Sequence, residues 1–497
     1  MSSGPSLGTK VNRGVAWATA GQAIIGVADL VSQILIVALW IPAGDLGLAG
    51  GAMAFYTALD YIADLGVSSA LIQHDDHTPE RVSTMFWLNL LITGGLFVVL
   101  LGFGPLYGWL EHQPVLGWLL IGYGGKLVLQ NLYAIPFALL KKEMRYGEIA
   151  VARIVAHTCE SVARIVFAAM GITIWCWTLA ALVRAFVFGV IIQIRHPFVP
   201  KAVFRLREAA HYVRFGLRTT ASNVLYYLYT SMDVPVILLF FDKTAAGIYT
   251  LADQIVLEPV KSIANIVTDV AYPAFAKARN DRPALHAELI KLTRFNLMTI
   301  MPYVTVVLLV IPEILHIFYS RGHWTPRQLD LAADAARLLC VMGLFRALGY
   351  LGPPMLDGTG HPERTLRYMV IATFAVPGSF FLGASLFGPM IATPDARFLS
   401  VAIAWAIGYP VAFAALAYLV VRTIDLPLGR YIAASIPIAI CAGAGIAAGF
   451  AVDLLAVPNA SDPVRLAVIA ATALATIGLL LAFWQKVTPR AIIASLK

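Results

Sequence analysis

The sequence predicts an all-α polytopic membrane protein. Hydrophobic residues make up 59% of the chain and charged residues only 13%, against about 25% charged in soluble domains. Mean hydropathy is +0.78. The apolar residues fall in continuous runs of about twenty, the length that crosses a bilayer as a helix. Lipid offers no water to backbone groups, so only helices or a closed barrel can span it. Barrel strands would read as alternating segments of about ten residues, a pattern this chain lacks.

Each span is an apolar run bounded by polar punctuation. The first, 15–40, follows Lys10 and Arg13. It is longer than the apolar core of a secretory signal, about 7–15 residues, and no small-residue cleavage site closes it, so it is expected to stay as an uncleaved span. The others run over 46–72, 83–109, 115–140, 149–171, 174–194, 214–241, 244–271, 295–319, 329–357, 365–390, 397–421, 431–452 and 464–485. The total is about fourteen transmembrane helices. Pro259, Pro273 and Pro353-Pro354 are expected to kink or end their spans. The interspan loops are short, leaving no room for an extramembrane catalytic domain.

Lys and Arg set the orientation. With the N-terminus inside, the inner loops and termini carry 23 of the 36 basic residues and the outer loops 5, namely Lys243, Arg321, Arg327, Arg397 and Arg465. The asymmetry predicts that both termini are cytoplasmic. It also explains the net charge of +8 as membrane topology, without a nucleic-acid partner. Cys159, Cys176, Cys340 and Cys441 lie far apart in apolar runs, without metal or redox spacing, and read as packing residues.

A short repeat links the two halves. Ala43-Gly44-Asp45-Leu46-Gly47-Leu48-Ala49 is similar to Lys243-Thr244-Ala245-Ala246-Gly247-Ile248-Tyr249, and Arg13-Gly14 to Arg214-Phe215-Gly216. The offset is about six spans, an even number, so the halves would be parallel copies about an axis along the membrane normal, with a substrate site between them. The expected domains are an N-terminal six-helix lobe over 1–195, a C-terminal six-helix lobe over 214–421 and two additional helices over 430–497.

Charges inside spans are costly and mark protein- or water-facing surfaces. Arg153, His157, Glu160 and Arg164 recur at helical spacing on one face of the fifth span. The seventh carries Arg218, Ser222, Tyr226, Tyr229 and Asp233, and the eighth Asp253, Glu258, Lys261, Asn265 and Asp269. Gln22, Asp29 and Gln33 mark the first, Asp60 and Asp64 the second, Lys126, Gln130 and Tyr133 the fourth, Arg184 the sixth, and Arg337, Arg346 and Tyr350 the tenth.

Two accounts fit these stripes. They line a hydrated cavity in which Arg153, Arg164, Lys126, Arg184, Arg218 and Lys261 hold an anionic substrate while Tyr226 and Tyr229 stack on it. Arginine suits a diphosphate because its planar fork donates two parallel hydrogen bonds. Alternatively the charges pair internally and lock helices together. His157, Glu160, Asp29, Asp60, Asp64, Asp233, Asp253 and Glu258 are candidates for coupling to a proton or sodium gradient, with a structural role open for each. No catalytic constellation, ATP-binding loop or metal site is expected. The His74-Asp75-Asp76-His77 run reads as a solvated turn.

Three stretches carry a family resemblance. Gly66-Val-Ser-Ser-Ala-Leu-Ile-Gln73 followed by Thr84-Met-Phe-Trp-Leu-Asn89 resembles the second-to-third span junction of Wzx-type polysaccharide flippases. Ile135-Pro-Phe-Ala-Leu-Leu-Lys141 with Met144-Arg-Tyr146 resembles their span-four exit. Asp233 through Gly247-Ile-Tyr249, then Tyr272-Pro-Ala-Phe-Ala-Lys277, resembles the start of their second half. These flippases belong to the multidrug/oligosaccharidyl-lipid/polysaccharide (MOP) exporter superfamily. The resemblance implies two six-helix lobes related by a pseudo-twofold plus two C-terminal helices. It implies alternating access and an undecaprenyl-diphosphate-linked oligosaccharide as cargo, for exopolysaccharide, capsule or O-antigen synthesis. It carries no short site motif.

The expected protein is therefore a non-enzymatic flippase of the bacterial inner membrane without a cofactor, coupled to H⁺ or Na⁺. Its expected partners are the lipid-linked oligosaccharide and the polysaccharide polymerase and export machinery. A multidrug cation antiporter of the same superfamily would instead show a cavity dominated by carboxylates and aromatics. A membrane-embedded polymerase or ligase would be expected to have a large outer loop. A lipid scramblase or structural partner of an export complex stays open.

Overall fold

The computed structural model describes residues 25–26, 28–63, 78–143, 145–205, 224–458 and 460–484. Every regular element among them is helical, as expected. The chain divides into two compact units, Met1–Leu239 and Phe240–Lys497.

The first unit contains α1 (Ala28–Leu39), then α2 (Ala43–Ala63), α3 (Pro79–Leu110), α4 (Pro114–Lys142), α5 (Tyr146–Ala169), α6 (Cys176–Arg195) and α7 (Asp233–Phe240). Residues 224–231 are also helical. Thr78 caps α3 by accepting from the Arg81 amide, with Pro79 in the first turn, where its missing N–H costs nothing. α3 and α4 form a hairpin around a tight crossing: a Cβ on Gly104 would meet the Gly117 carbonyl oxygen at 2.8 Å. A buried ladder also ties the pair. Asn89 donates to Asn131 at 2.8 Å, and Asn131 donates to Thr93 at 2.6 Å. Small residues and interhelical hydrogen bonds are what hold helices together in lipid, where burial of apolar surface supplies little. α4 also packs on α2 and α6, and α5 packs on α6.

The second unit contains α8 (Lys243–Ala278), α9 (Arg282–Tyr319), α10 (Pro326–Gly349), α11 (Gly352–Gly358), α12 (Pro362–Leu382), α13 (Leu399–Ile424), α14 (Leu428–Leu455) and α15 (Asp462–Trp484). α8 and α9 have 36 and 38 residues, about 54 and 57 Å at 1.5 Å per residue. The polar stretch expected as a loop between them is therefore mostly helix. Asp281 caps α9 by accepting from the Ala284 amide at 3.1 Å, and the charged turns continue past the apolar spans. Pro259 and Pro273 lie inside α8 without ending it. The expected span 329–357 breaks between α10 and α11 just before Pro353-Pro354. The span 365–390 loosens after α12 into a π turn, Gly383–Phe387. α14 and α15 pack on each other and both on α9.

Among the described residues, eight helices are long and apolar enough to cross a membrane. α4, α5, α8 and α10 have 29, 24, 36 and 24 residues and include the helices with the densest polar stripes. The elements follow the expected order. The count of about fourteen depends on taking 224–240 and α10–α11 as one segment each.

Candidate functional site

The polar stripe of α5 turns inward. Val151, Val155, Val162 and Val166 are exposed on the outer face, while Glu160 and Arg164 are buried. The period of 3.6 residues separates the two sets. Because α5 packs on α6, the stripe meets Arg184 of α6 and Asp29 of α1.

Glu160 is the hub. Its Oε2 accepts from Arg184 Nη1 at 3.0 Å, and its Oε1 lies 3.5 Å from Arg164 Nη2. Arg164 Nη2 is also 3.8 Å from Asp29 Oδ1, and its Nη1 donates to Ser32 Oγ at 3.4 Å. Ser161 Oγ donates to Asp29 Oδ1 at 3.3 Å. His157 Nδ1 stands between the two acids, 3.6 Å from Asp29 Oδ2 and 3.5 Å from Glu160 Oε2. The imidazole is half-buried, with its Nδ1 shielded from solvent. Two carboxylates face two guanidiniums, so the group is balanced when the imidazole is neutral. A proton on His157 adds one positive charge between the two acids.

A second cluster joins α2 and α4. Lys126 is 3% exposed. It donates to the Tyr56 hydroxyl, and its ammonium lies 4.1 Å from that ring's centroid. Gln130 donates to Asp60 at 2.9 Å and to the Tyr56 hydroxyl at 3.3 Å. Tyr56 stacks on Tyr123 with centroids 4.7 Å apart. Arg184 is close enough to act electrostatically on both Asp29 and Lys126, so one arginine links the two clusters.

The other expected residues are placed elsewhere. Arg153 is exposed, with its guanidinium 5.5 Å from the Phe137 ring centroid, and it does not join Glu160. Tyr226 and Tyr229 meet edge to face with centroids 5.4 Å apart, and Tyr229 is buried. Asp233 is buried and accepts from the Val234 amide. Asp253 is half-buried on α8. Lower on that helix Lys261 pairs with Glu258 at 3.2 Å. Asp64, Arg218, Ser222, the 74–77 turn and the side chain of Asp269 lie outside the described residues.

Asp29, His157 and Glu160 offer three metal-ligating atoms within 4.8 Å of one another. Arg164 and Arg184 already supply these acids with positive charge, which opposes a divalent ion. Sequence reading missed Tyr56, Ser32 and Ser161. Tyr56 stands one turn before Asp60 and Ser32 one turn after Asp29, so helical spacing from the acids was the available signal.

Residues 36–327, more than half of the chain, match the family described as polysaccharide biosynthesis protein. The chain belongs to this family. The Wzx-type resemblance read from the sequence points to the same polysaccharide family. Among similar proteins are the lipopolysaccharide biosynthesis protein WzxC of Escherichia coli (strain K12), 24% identical over 77% of each chain, and the succinoglycan biosynthesis transport protein ExoT of Rhizobium meliloti (strain 1021), 22% identical over 76% of each. The fold is shared with the lipid II flippase MurJ in an inward closed conformation, with a TM-score of 0.72, 16% identity, and 93% of this chain and 99% of that one covered. An inward-facing multidrug resistance MATE family transporter of the MOP superfamily gives a TM-score of 0.61 at 15% identity over 81% of this chain and 96% of that one.

Proposed function

We propose that this protein moves an undecaprenyl-diphosphate-linked oligosaccharide across the bacterial inner membrane by alternating access, without catalysing a reaction. Membership of the polysaccharide biosynthesis family and the names of its relatives support lipid-linked sugar as cargo. The observation that carries the chemistry is the arginine pair on Glu160, the buried Arg164 of α5 and the half-buried Arg184 of α6. Each can exchange a carboxylate for a diphosphate oxygen. Arg153, exposed on the same helix, is a first contact for the incoming anion. Lys126 acts through Tyr56, and Tyr226 offers a ring to a sugar face. Arg218 and Lys261 would extend the cationic surface.

Asp29, His157 and Glu160 are the proposed coupling group. Protonation of His157 strengthens its hold on both acids and weakens theirs on the arginines, so cargo and proton compete for one charge balance. Asp60, Asp233, Asp253 and Glu258 are secondary candidates. Both termini are assigned to the cytoplasm from the basic residues, and a polysaccharide polymerase with its export machinery is the expected partner downstream.

A deletion strain tests the reading. Accumulation of prenyl-diphosphate-linked oligosaccharide on the cytoplasmic leaflet, with loss of surface polysaccharide, is the expected result. Intact polysaccharide with raised sensitivity to cationic drugs would overturn it in favour of a multidrug antiporter. Within the site, Arg153→Ala and Arg164→Ala variants that reach the membrane should both lose flux.

A further inference from the structure

Residues 198–205, beyond α6, form no helix and lie along the first turns of α3. The Phe198 amide donates to Gln193 Oε1 of α6 at 3.0 Å, and the Phe198 ring centroid is 6.0 Å from that of Phe86. The Lys201 amide donates to Ser83 Oγ at 3.0 Å, and the Lys201 carbonyl accepts from the Trp87 indole N–H at 2.8 Å. Lys201 Nζ donates to Glu80 at 3.1 Å. The Arg205 amide donates to Thr84 Oγ1 at 3.2 Å. The segment is a strap, fixed at both ends and in the middle.

The strap covers the lipid-facing side of α3. Glu80, Thr84, Leu91 and Val98 follow one another at four, seven and seven residues, one stripe of the helix. Leu91 and Val98 are each 65% exposed, yet Thr84 is 0% exposed, because the strap lies over it. Thr84 precedes Leu91 by about 10 Å along the axis, at the start of the apolar run of α3. Trp87, half-buried there, is the residue type that sits at a membrane–water boundary. The uncovered side of the strap is apolar with cations around it. Val199 is 86% and Phe204 50% exposed, and Arg195, Lys201 and Arg205 are exposed near them in the chain. Glu80 partly neutralises Lys201.

We propose that this strap is a membrane-interface anchor, with Val199 and Phe204 at the boundary between headgroups and acyl chains and with Arg195, Lys201 and Arg205 against anionic phospholipid headgroups. Two apolar side chains project from a segment that itself rests on the lipid-facing stripe of a spanning helix, so the medium they meet is the bilayer surface. Apolar side chains flanked by cations hold to such a surface by burial and by attraction to anionic lipid. The inference needs only that α3 crosses a membrane, not that the protein flips a particular cargo.

Photo-crosslinking of the full-length protein in nanodiscs of equal phosphatidylglycerol and phosphatidylcholine tests the anchor. The photoreactive residue p-benzoylphenylalanine is placed at Val199, at Phe204 and, as a control, at Asn280, which is exposed in the turn between α8 and α9. All three are exposed positions, so folding is preserved. Mass spectrometry of the adducts should find lipid attached at 199 and 204 in severalfold higher yield than at 280. Those adducts should favour phosphatidylglycerol by about fivefold for each basic residue engaged, and R195Q/R205Q should reduce that preference. Lipid adducts no more frequent at 199 and 204 than at 280 would overturn the proposal, as would an unchanged preference in R195Q/R205Q. Crosslinks from 199 and 204 to a second polypeptide in place of lipid would assign the face to a protein partner and also overturn it.

Discussion

Arg184 on α6 donates to Glu160 on α5 at 3.0 Å, and Glu160 is only 5% exposed. The pair joins two adjacent helices, with Glu160 buried and Arg184 about one third exposed. Removing one partner of a fully buried pair costs about 3–5 kcal/mol when the survivor is left uncompensated; Arg164, 3.5 Å from the same carboxylate, offsets part of that here. Arg184→Ala should therefore lower the thermal midpoint of the purified protein. Adding Glu160→Gln to it should recover much of the loss. An Arg184→Ala protein as stable as wild type would show that Glu160 finds another cation.

His157 sits 3.5–3.6 Å from two carboxylates. If it carries the coupling proton, His157→Gln should reach the membrane and bind cargo. Its flux in proteoliposomes should no longer respond to a pH gradient imposed between about pH 6 and 8. The groups facing it are Asp29, Glu160, Arg164 and Arg184. A variant that kept the full response would remove His157 from the coupling path.

Lys126 is buried beneath Tyr56 and does not reach solvent. Lys126→Met keeps the volume and removes a desolvated charge, so stability should change by less than about 1.5 kcal/mol. Flux should fall to the level of Tyr56→Phe, and the double variant should fall no further, because the lysine acts through the tyrosine. Additive losses, measured in one vesicle assay, would show that Lys126 touches cargo directly.

The α3–α4 crossing tests the packing. A Cβ on Gly117 would overlap the carbonyl oxygen of Gly104, and both are backbone or Cα positions that cannot rotate away. Gly117→Leu should separate the helices, break the Asn89–Asn131 bond and leave little folded protein in size-exclusion chromatography. Gly95→Leu, where nothing lies within 4 Å of the added carbon, is the control and should fold.

The α5 stripe shows how far sequence reading reached into the site. Spacing placed His157, Glu160 and Arg164 on one face, and they are on one face. It placed Arg153 with them, yet Arg153 is exposed and lies against Phe137. Helical period fixes direction around an axis but not depth along it, so a residue two turns away shares the face and not the neighbours. Tyr56 was passed over because a tyrosine in an apolar run looks like packing until Lys126 is seen beside it.

The sequence by itself determined the class of protein, the order of its spans, the inward direction of the charged stripes and the family. All of these follow from composition and from periodicities within single segments, which the bilayer enforces. Only the tertiary structure decided which charges meet. Asp29 and Arg164 are more than a hundred residues apart in the chain, and their 3.8 Å approach depends on how α1 sits against α5. The helical continuation of α8 and α9 past their apolar spans and the break before Pro353 were also settled there, because caps and neighbouring helices decide where a charged turn stays helical.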